Sequence, residues 1–324
     1  MSTMDVSAPR LATRRRIGVP REVVLLALLA VECIVLSLLS PYFLNSTQLL
    51  GTSRYFVETG LVALGMTMVI IIGGIDLSVG SVLALASVTL GFSYHAGLPL
   101  GLAIVAAIAC ATIAGALNGA LSTRWDVHPL AVTVATMALY RGIAEAVTNQ
   151  DAVSTFPHGF DYFGQFYLGQ VPGQLIAFAV IAVLMWLVLD RSRLGRYVYA
   201  IGTNEEAARF SGVPVRRVKI AIYALTGMLV GVAALIYTSR VSTARADAGL
   251  GFELGVIASV VLGGASIYGG VGTIQGTVLG GVIIAVLQQG LVLTDLDSNW
   301  ILVITGLVMV LGVFFNEFFR RQDE

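Results

Sequence analysis

Few residues in this 324-residue chain have the type and spacing for chemistry, and those that do point away from covalent catalysis. Lys219 is the only lysine and follows Arg-Arg-Val, so no Gly-x-x-x-x-Gly-Lys phosphate loop exists. His95, His128 and His158 are far apart and lack the ligand spacing of a zinc site. No Gly-x-Ser-x-Gly nucleophile elbow is present. Cys33 and Cys110 both fall in apolar runs, where they suit packing better than a disulfide or a metal. What remains is a small set of ionisable residues embedded in apolar sequence: Glu32, Asp76, Arg141 and Glu145. Such residues hold protons, ions or polar solutes, or pair with one another, because alone in hydrocarbon each costs several kcal/mol.

Asp76 lies in Gly73-Gly74-Ile75-Asp76-Leu77-Ser78-Val79-Gly80, where glycines interrupt an apolar region. Non-helical backbone at membrane depth survives only where protein or a water-filled cavity satisfies it. Asp76 is expected to cap the following helix near Ser78, and a capped helix start beside a pathway is a common transporter arrangement. A second cluster, Leu262 to Gly272, repeats the pattern Gly-Gly-x-x-apolar-x-x-Gly through Gly263, Gly264 and Ser266. It suits close packing and a tight turn. Asp76, Ser78, Asn118, Gly263, Gly264 and Ser266 are therefore the candidates for a translocation pathway. Arg141 and Glu145 share a helical face and are expected to pair.

The longest polar interruption is Asp190–Lys219, rich in arginine. Basic residues between apolar spans mark the cytoplasmic side. Within it, Thr203-Asn204-Glu205-Glu206 has the form of a capping box with Thr203 as the cap. Gly212 offers a left-handed stop and Pro214 forbids continuation. These signals predict a short isolated helix over Glu205–Ser211, too short to stand alone. It is expected to be a surface offered to a cytoplasmic partner.

The elements that must position these residues are apolar spans. The chain is 57% hydrophobic and 12% charged, with 19 basic and 19 acidic residues. That is about half the charge of a soluble domain, and the balance gives no reason to expect nucleic acid as a partner. Runs of about 20 apolar residues recur, each able to cross a bilayer core of about 30 Å. An all-α, polytopic bundle of about ten spans is expected: Val23–Leu39, Tyr55–Ile72, Ser78–His95, Leu98–Leu121, Pro129–Thr148, Gly173–Leu189, Val218–Thr238, Gly255–Tyr268, Thr273–Leu293 and Trp300–Phe315. Residues 1–22 and 317–324 would be cytoplasmic tails around a membrane domain at 23–316, with 190–219 as its large inner loop. Arg10, Arg14, Arg15, Arg16 and Arg21 in the first tail and Arg320-Arg321 in the second agree with that orientation. Gly255–Tyr268 is the short, glycine-studded member. Asn149–Pro172 would be external, with Phe156, Phe160, Tyr162, Phe163, Phe166 and Tyr167 as an interfacial aromatic belt. Ser40–Arg54 and Ser239–Glu253 would also be external. Arg54, Arg240 and Arg245 then run against the charge bias and suit carboxylates on a docking protein, or else are rim charges near lipid head groups.

Taken together, the motifs are familiar. Gly65-Met66-Thr67-Met68-Val69-Ile70 running into GGIDLSVGS, Asn118-Gly119, Thr136-Met137 with Arg141-Gly142, GRYVYAIGTNEEAARFSGV and GFELGVIASVVLGGASIYGGVGT resemble the permease subunits of bacterial monosaccharide ABC importers. These are the ribose, xylose, rhamnose and autoinducer-2 type. The resemblance runs in order from about Tyr42 to the last span. It implies a fold like that of the vitamin B12 importer in the inner membrane. It also implies a second permease subunit (the same chain or a relative), a cytoplasmic sugar-type ATPase holding ATP and magnesium, and a periplasmic substrate-binding protein. This chain would bind no cofactor and catalyse nothing. By the same likeness Gly202–Gly212 is the loop that docks on the ATPase, through Gly202, Asn204, Glu205, Glu206, Ala207, Ala208, Arg209, Ser211 and Gly212. Leu287-Gln288-Gln289-Gly290-Leu291 replaces the Asn-Gly pair common in ribose-type permeases. With Ala244-Arg245-Ala246-Asp247 it leans toward the rhamnose and autoinducer-2 group. The rival readings are an ion-coupled secondary transporter using Asp76 or Glu145, an intramembrane enzyme and an export permease.

Overall fold

A computed structural model describes residues 21–310 except 126, 150, 295, 298–299, 301–302 and 309. The tails 1–20 and 311–324, with Arg320 and Arg321, lie outside the described residues. So does much of Trp300–Phe315, of which 303–308 is helical. Twelve helices precede it in order: α1 Arg21–Leu39, α2 Ser46–Ile71, α3 Val79–His95, α4 Leu100–Arg124, α5 Pro129–Thr148, α6 Tyr162–Gln165, α7 Gly173–Arg191, α8 Arg193–Thr203, α9 Glu205–Phe210, α10 Val215–Val241, α11 Phe252–Leu262 and α12 Ile274–Val292. The strands β1 (Tyr167–Leu168) and β2 (Val171–Pro172) form one small antiparallel hairpin. Among the described residues six helices are long and apolar enough to cross a membrane, and Phe56–Ile71, Val79–His95 and Phe252–Leu262 are shorter apolar helices. The protein is a polytopic helical bundle.

Burial separates the helices by role. Val57 to Ile71 of α2 is almost wholly enclosed, as is most of α3, because a helix apolar on every side must sit inside the bundle. Most of α1, α4, α5 and α7 turns apolar side chains outward, which suits lipid or a second subunit. The most extensive helix contact joins α4 to α10, and glycine makes it. Gly115 and Gly119 of α4 and Gly227 and Gly231 of α10 are each four apart. Gly115 abuts Tyr223 and Gly227, and Gly227 abuts the Ala111 carbonyl, with no room for a Cβ. Without a hydrophobic drive between helices, close backbone approach supplies the packing energy. Interhelical hydroxyl pairs add to it: Thr67 of α2 with Thr277 of α12, and Ser87 of α3 with Thr238 of α10, both at 2.7 Å.

The two ends of the bundle differ. One carries α8 and α9. The other carries α6 and the β-hairpin, strapped onto the end of α10: Ser239 Oγ donates to the Phe160 carbonyl at 2.6 Å, and Gln165 and Gln174 donate to the Arg240 and Gly164 carbonyls. The expected aromatic belt is only partly a belt. Tyr162, Phe163, Phe166 and Tyr167 are exposed, but Phe160 is buried and stacks on Phe156 with centroids 4.2 Å apart.

Two of the expected spans are redrawn. The second span starts at Ser46, so Arg54 lies on a helix and not in an external loop. The expected span Gly255–Tyr268 is an 11-residue helix, α11, ending at Leu262, about 16 Å long. That is half a bilayer. The expected external segment Ser239–Glu253 supplies the other half. Its backbone turns back into the bundle and descends along α3. Ala244 pairs with Val153 and sits against Gly91, while Gly249 meets Gly80, eleven helical residues below, about 16 Å. This broken crossing is the main departure from the sequence reading.

Near the hairpin end Arg240 meets Glu58 with two bonds, Nε to Oε1 at 2.7 Å and Nη2 to Oε2 at 3.0 Å. Glu58 is buried and Arg240 is mostly covered. Removing one partner of such a pair strands a charge and costs about 3–5 kcal/mol. Arg240→Met is therefore expected to lower the detergent-solubilised melting temperature sharply, and Glu58→Met with Arg240→Met to recover most of the loss. Equal destabilisation by the double change would contradict the pairing.

Candidate functional site

Asn204, not Thr203, starts α9. Asn204 is extended, and its side-chain carbonyl accepts from the Ala207 N–H at 2.9 Å. The Thr203 hydroxyl instead donates to the Tyr199 carbonyl and ends α8. Asn can accept as Thr does, and a sequence offering both in a row does not say which. The helix ends as expected. Gly212 has φ +82°, and the Gly212 and Val213 N–H groups bond back to the Arg209 and Ala208 carbonyls, a Schellman stop. Phe210 is its last helical residue, one before the expected end.

The short helix is held rigidly. Ala208 is buried. Glu205 bonds both Lys219 of α10, at 2.5 Å, and Arg209, at 3.0 Å. Lys219 is three-quarters or more covered and Arg209 is mostly exposed, so the first bond anchors α9 and the second screens it. Glu206, Ala207, Arg209, Phe210 and Ser211 face outward. Phe210 is 85% exposed, the most exposed large apolar side chain among the described residues. Sequence reasoning omitted it from the docking residues. Its signal was an aromatic next to the stop of a polar helix.

Below α9, both glycine clusters converge on α8. Gly202 packs against the Ile71 carbonyl at the end of α2 and lies within reach of Gly270. The Gly270 N–H donates to the same Ile71 carbonyl at 2.8 Å. Tyr199 of α8 donates its hydroxyl to the Gly272 carbonyl at 2.8 Å; burial first, then the Asp190 carboxylate, push that phenol up and keep it a donor. The resemblance between the clusters is real in conformation but shifted by one residue. Gly73 and Gly264 are the left-handed positions, and the following N–H groups, of Gly74 and Ala265, close on Val69 and Val260. Gly263 is seated on Gly276 of α12, and Ser266 closes a turn by bonding Val271 and Gly269. Gly263, Gly264 and Ser266 thus form packed turn backbone at the α9 end.

Asp76, Ser78 and Asn118 do come together. The Ser78 N–H and hydroxyl both donate to Asp76 Oδ1, at 2.9 and 2.7 Å. Asn118 Nδ2 donates to the Ser78 hydroxyl at 2.8 Å, and Tyr140 of α5 donates to Asn118 Oδ1 and to the Ala114 carbonyl. All three are essentially unexposed. The network ties the start of α3 to α4 and α5, and in this conformation it presents no group to a solute.

The expected pair of Arg141 with Glu145 does not form among the described residues. Glu145 is exposed. Arg141 Nη1 instead donates to two carbonyls of the descending segment, those of Ala246 and Ala248, the latter at 2.8 Å. A backbone that has left helical pairing is the stronger claimant, since among the described residues these carbonyls take no helical donor. Nor are the three outward arginines alike. Arg240 is bound to Glu58. Arg54 donates to Tyr167 Oη and the Gly164 carbonyl, with its guanidinium over the Tyr167 ring. Arg245 alone is well exposed, gripped by Asp247 through two bonds of 2.8 and 2.6 Å.

Gly202 is the point where α8 touches α2 and the second glycine loop together. Gly202→Val would drive a side chain into the Ile71 carbonyl and Gly270. Loss of transport with a normal amount of membrane-inserted protein is the expected outcome, read by solute uptake against an immunoblot. Wild-type uptake would show that this contact transmits nothing.

The profile of the family described as branched-chain amino acid transport system / permease component matches residues 48–313. The ribose import permease protein RbsC of Bacillus subtilis is 40% identical over 282 residues, covering 86% of this chain and 88% of that one. The autoinducer 2 import system permease protein LsrD is 36% identical in Salmonella paratyphi B over 298 residues, and 38% in Yersinia enterocolitica over 299, each covering 90% of both chains. A bundle of membrane-spanning helices with one anchored polar helix at one end, matched across most of its length, belongs to the permease-component family of these transport systems.

Proposed function

We propose that the chain is the permease subunit of an ATP-driven, binding-protein-dependent importer in a bacterial inner membrane, carrying a sugar or sugar-like solute. The carrying observation is α9: an outward surface on a rigid mount whose base touches both glycine loops. Such a surface suits a separate engine. The ATPase, with its ATP and magnesium, grips Glu206, Ala207, Arg209, Phe210 and Ser211. Its closure pushes α9 and α8 as one body, since Glu205–Lys219 and the Gly212 stop leave little play. The push reaches α2 and the α11–α12 turn through backbone contact at Gly202 and Gly270, where no flexible side chain absorbs it. The α9 end is then cytoplasmic, with both termini inside, in keeping with the arginines of 190–219. The hairpin end receives the binding protein, and a second permease, the same chain or a relative, completes the route.

The relatives support the solute class. Permeases named for ribose and for autoinducer 2 match at similar identity. The expected preference against ribose rests on Leu287-Gln288-Gln289-Gly290-Leu291 together with Ala244-Arg245-Ala246-Asp247 and GGASIYGG, and within the first of these Gly290 has a packing reason of its own, as the seat of Leu36 from α1. The proposal is therefore the class, a small polyhydroxylated molecule.

Two measurements test this. Uptake of radiolabelled D-ribose and related sugars by cells holding the whole system should stop on ATP depletion. Uptake that survives ATP depletion and collapses with an uncoupler would replace the proposal by ion coupling. Glu206→Lys with Arg209→Glu, or Phe210→Ala alone, should cut uptake about tenfold or more, equivalent to at least about 1.4 kcal/mol of docking, at unchanged protein level. A cysteine placed at Ala207 should be labelled only from the cytoplasmic side; labelling from outside intact cells would overturn the orientation.

A further inference from the structure

The descending segment has two faces. Ala244, Ala246 and Ala248 are buried, while Arg245, Asp247 and Leu250 between and after them are exposed. The alternation starts at the bridge between Ala244 and Val153 and runs through a turn, in which the Ala248 N–H donates to the Arg245 carbonyl. The buried alanines lie toward α3 and α5, fastened by Arg141 and by the contact of Gly249 with Gly80. The outward face carries a bidentate Arg245–Asp247 pair. Arg141 lies twelve residues into α5, about 18 Å along the span. Asp247, between the two carbonyls Arg141 holds, is thus near the middle of the membrane. Glu145 lies one turn along α5 from Arg141, and Asp247 lies between the two residues whose carbonyls Arg141 holds. Glu253 also lies beside Gly80 at the start of α3.

A patch of this kind does not face lipid. Charged side chains at mid-membrane face a bundle interior or a water-filled cavity, and exposed non-helical backbone is tolerated only there. Here both occur on the same surface, and nothing within the described chain covers it. The contrast is α4, whose exposed Val105 and Ile113 are as open as Leu254 of α11 and carry no polar neighbours of this kind on their face.

Resting on the permease reading above, we propose that this face, formed by Arg141, Glu145, Arg245, Asp247, Glu253 and Leu254, is the wall of the aqueous route and a transient binding site for the solute. The chemistry suits a polyol. Paired guanidinium and carboxylate groups accept from and donate to adjacent hydroxyls at once, and charges already paired do not hold an ion tightly. Arg141 uses only Nη1 among the described residues, which leaves Nη2 and Nε to turn toward the route. The assignment moves Arg245 from a docking rim to the pathway.

The test is thiol accessibility in sonicated vesicles from cells expressing the full chain with the rest of its transport system. With Cys33→Ser and Cys110→Ala as background, single cysteines are placed as Asp247→Cys, Leu254→Cys and, for comparison, Val105→Cys. A charged methanethiosulfonate should modify Asp247→Cys and Leu254→Cys at least about tenfold faster than Val105→Cys, because only a hydrated thiol ionises. D-ribose should slow modification at Asp247→Cys. Leu254→Cys keeps every charge, so misfolding of the first variant does not remove the test. A rate at Leu254→Cys equal to that at Val105→Cys would overturn the proposal, whether lipid or a tightly packed second copy covers the face. Failure of the unsubstituted system to take up any sugar, with fast labelling at Leu254→Cys, would instead sink the solute assignment and leave the wall standing.

Discussion

Every part of this molecule answers to one constraint: a peptide group that leaves helical pairing inside a membrane must find its partner in the protein. Among the described residues, three breaks in helical pairing each have a dedicated solution. The Asp76 carboxylate takes the Ser78 N–H at the start of α3. The Ile71 carbonyl at the end of α2 takes the Gly270 N–H. The Arg141 guanidinium takes two carbonyls of the descending segment. Each solution also joins elements distant in sequence, so satisfying the backbone is what assembles the bundle.

Glycine is the second half of the same logic. In hydrocarbon, helices gain little from burying apolar surface, and energy comes from backbones brought close. The facing glycines of α4 and α10 make a fixed frame of this kind. At Gly202, Gly80 and Gly263 the same closeness links loops to helices. A movement imposed on α9 therefore reaches α2 and α12 through main-chain contacts of low compliance. The elements that meet there are short: α8 and α9 have 11 and 6 residues, and α11 has 11.

The polar groups of the chain sort themselves by depth. Glu58 with Arg240, and Asp76 with Ser78, Asn118 and Tyr140, are enclosed and act on the protein's own architecture. The patch around Arg141 and Asp247 is open and acts outward. Glu32 of α1 stands apart, its carboxylate oxygens covered and without a hydrogen-bond partner among the described residues. The bundle spends its charge on a few well-defined jobs, as expected where each isolated charge costs several kcal/mol.

Much of this was legible in order along the chain. Apolar run length determined which segments span, arginine placement determined where α8 and α9 fall, and Gly212 with Pro214 determined where the short helix stops, because each of these is a local property of backbone or side chain. Local signals were ambiguous where two residues could do one job, as with Thr203 and Asn204. They were silent where the partner is distant. Nothing in the run from Ser239 to Glu253 says that it re-enters the bundle, because a non-helical segment is stable there only once Gly80 offers room and Arg141 offers a donor. Nor does Arg141 announce that it prefers carbonyls more than a hundred residues away to Glu145 on its own face. Those choices belong to the tertiary structure, since a buried polar group takes whichever partner leaves the fewest others unpaired.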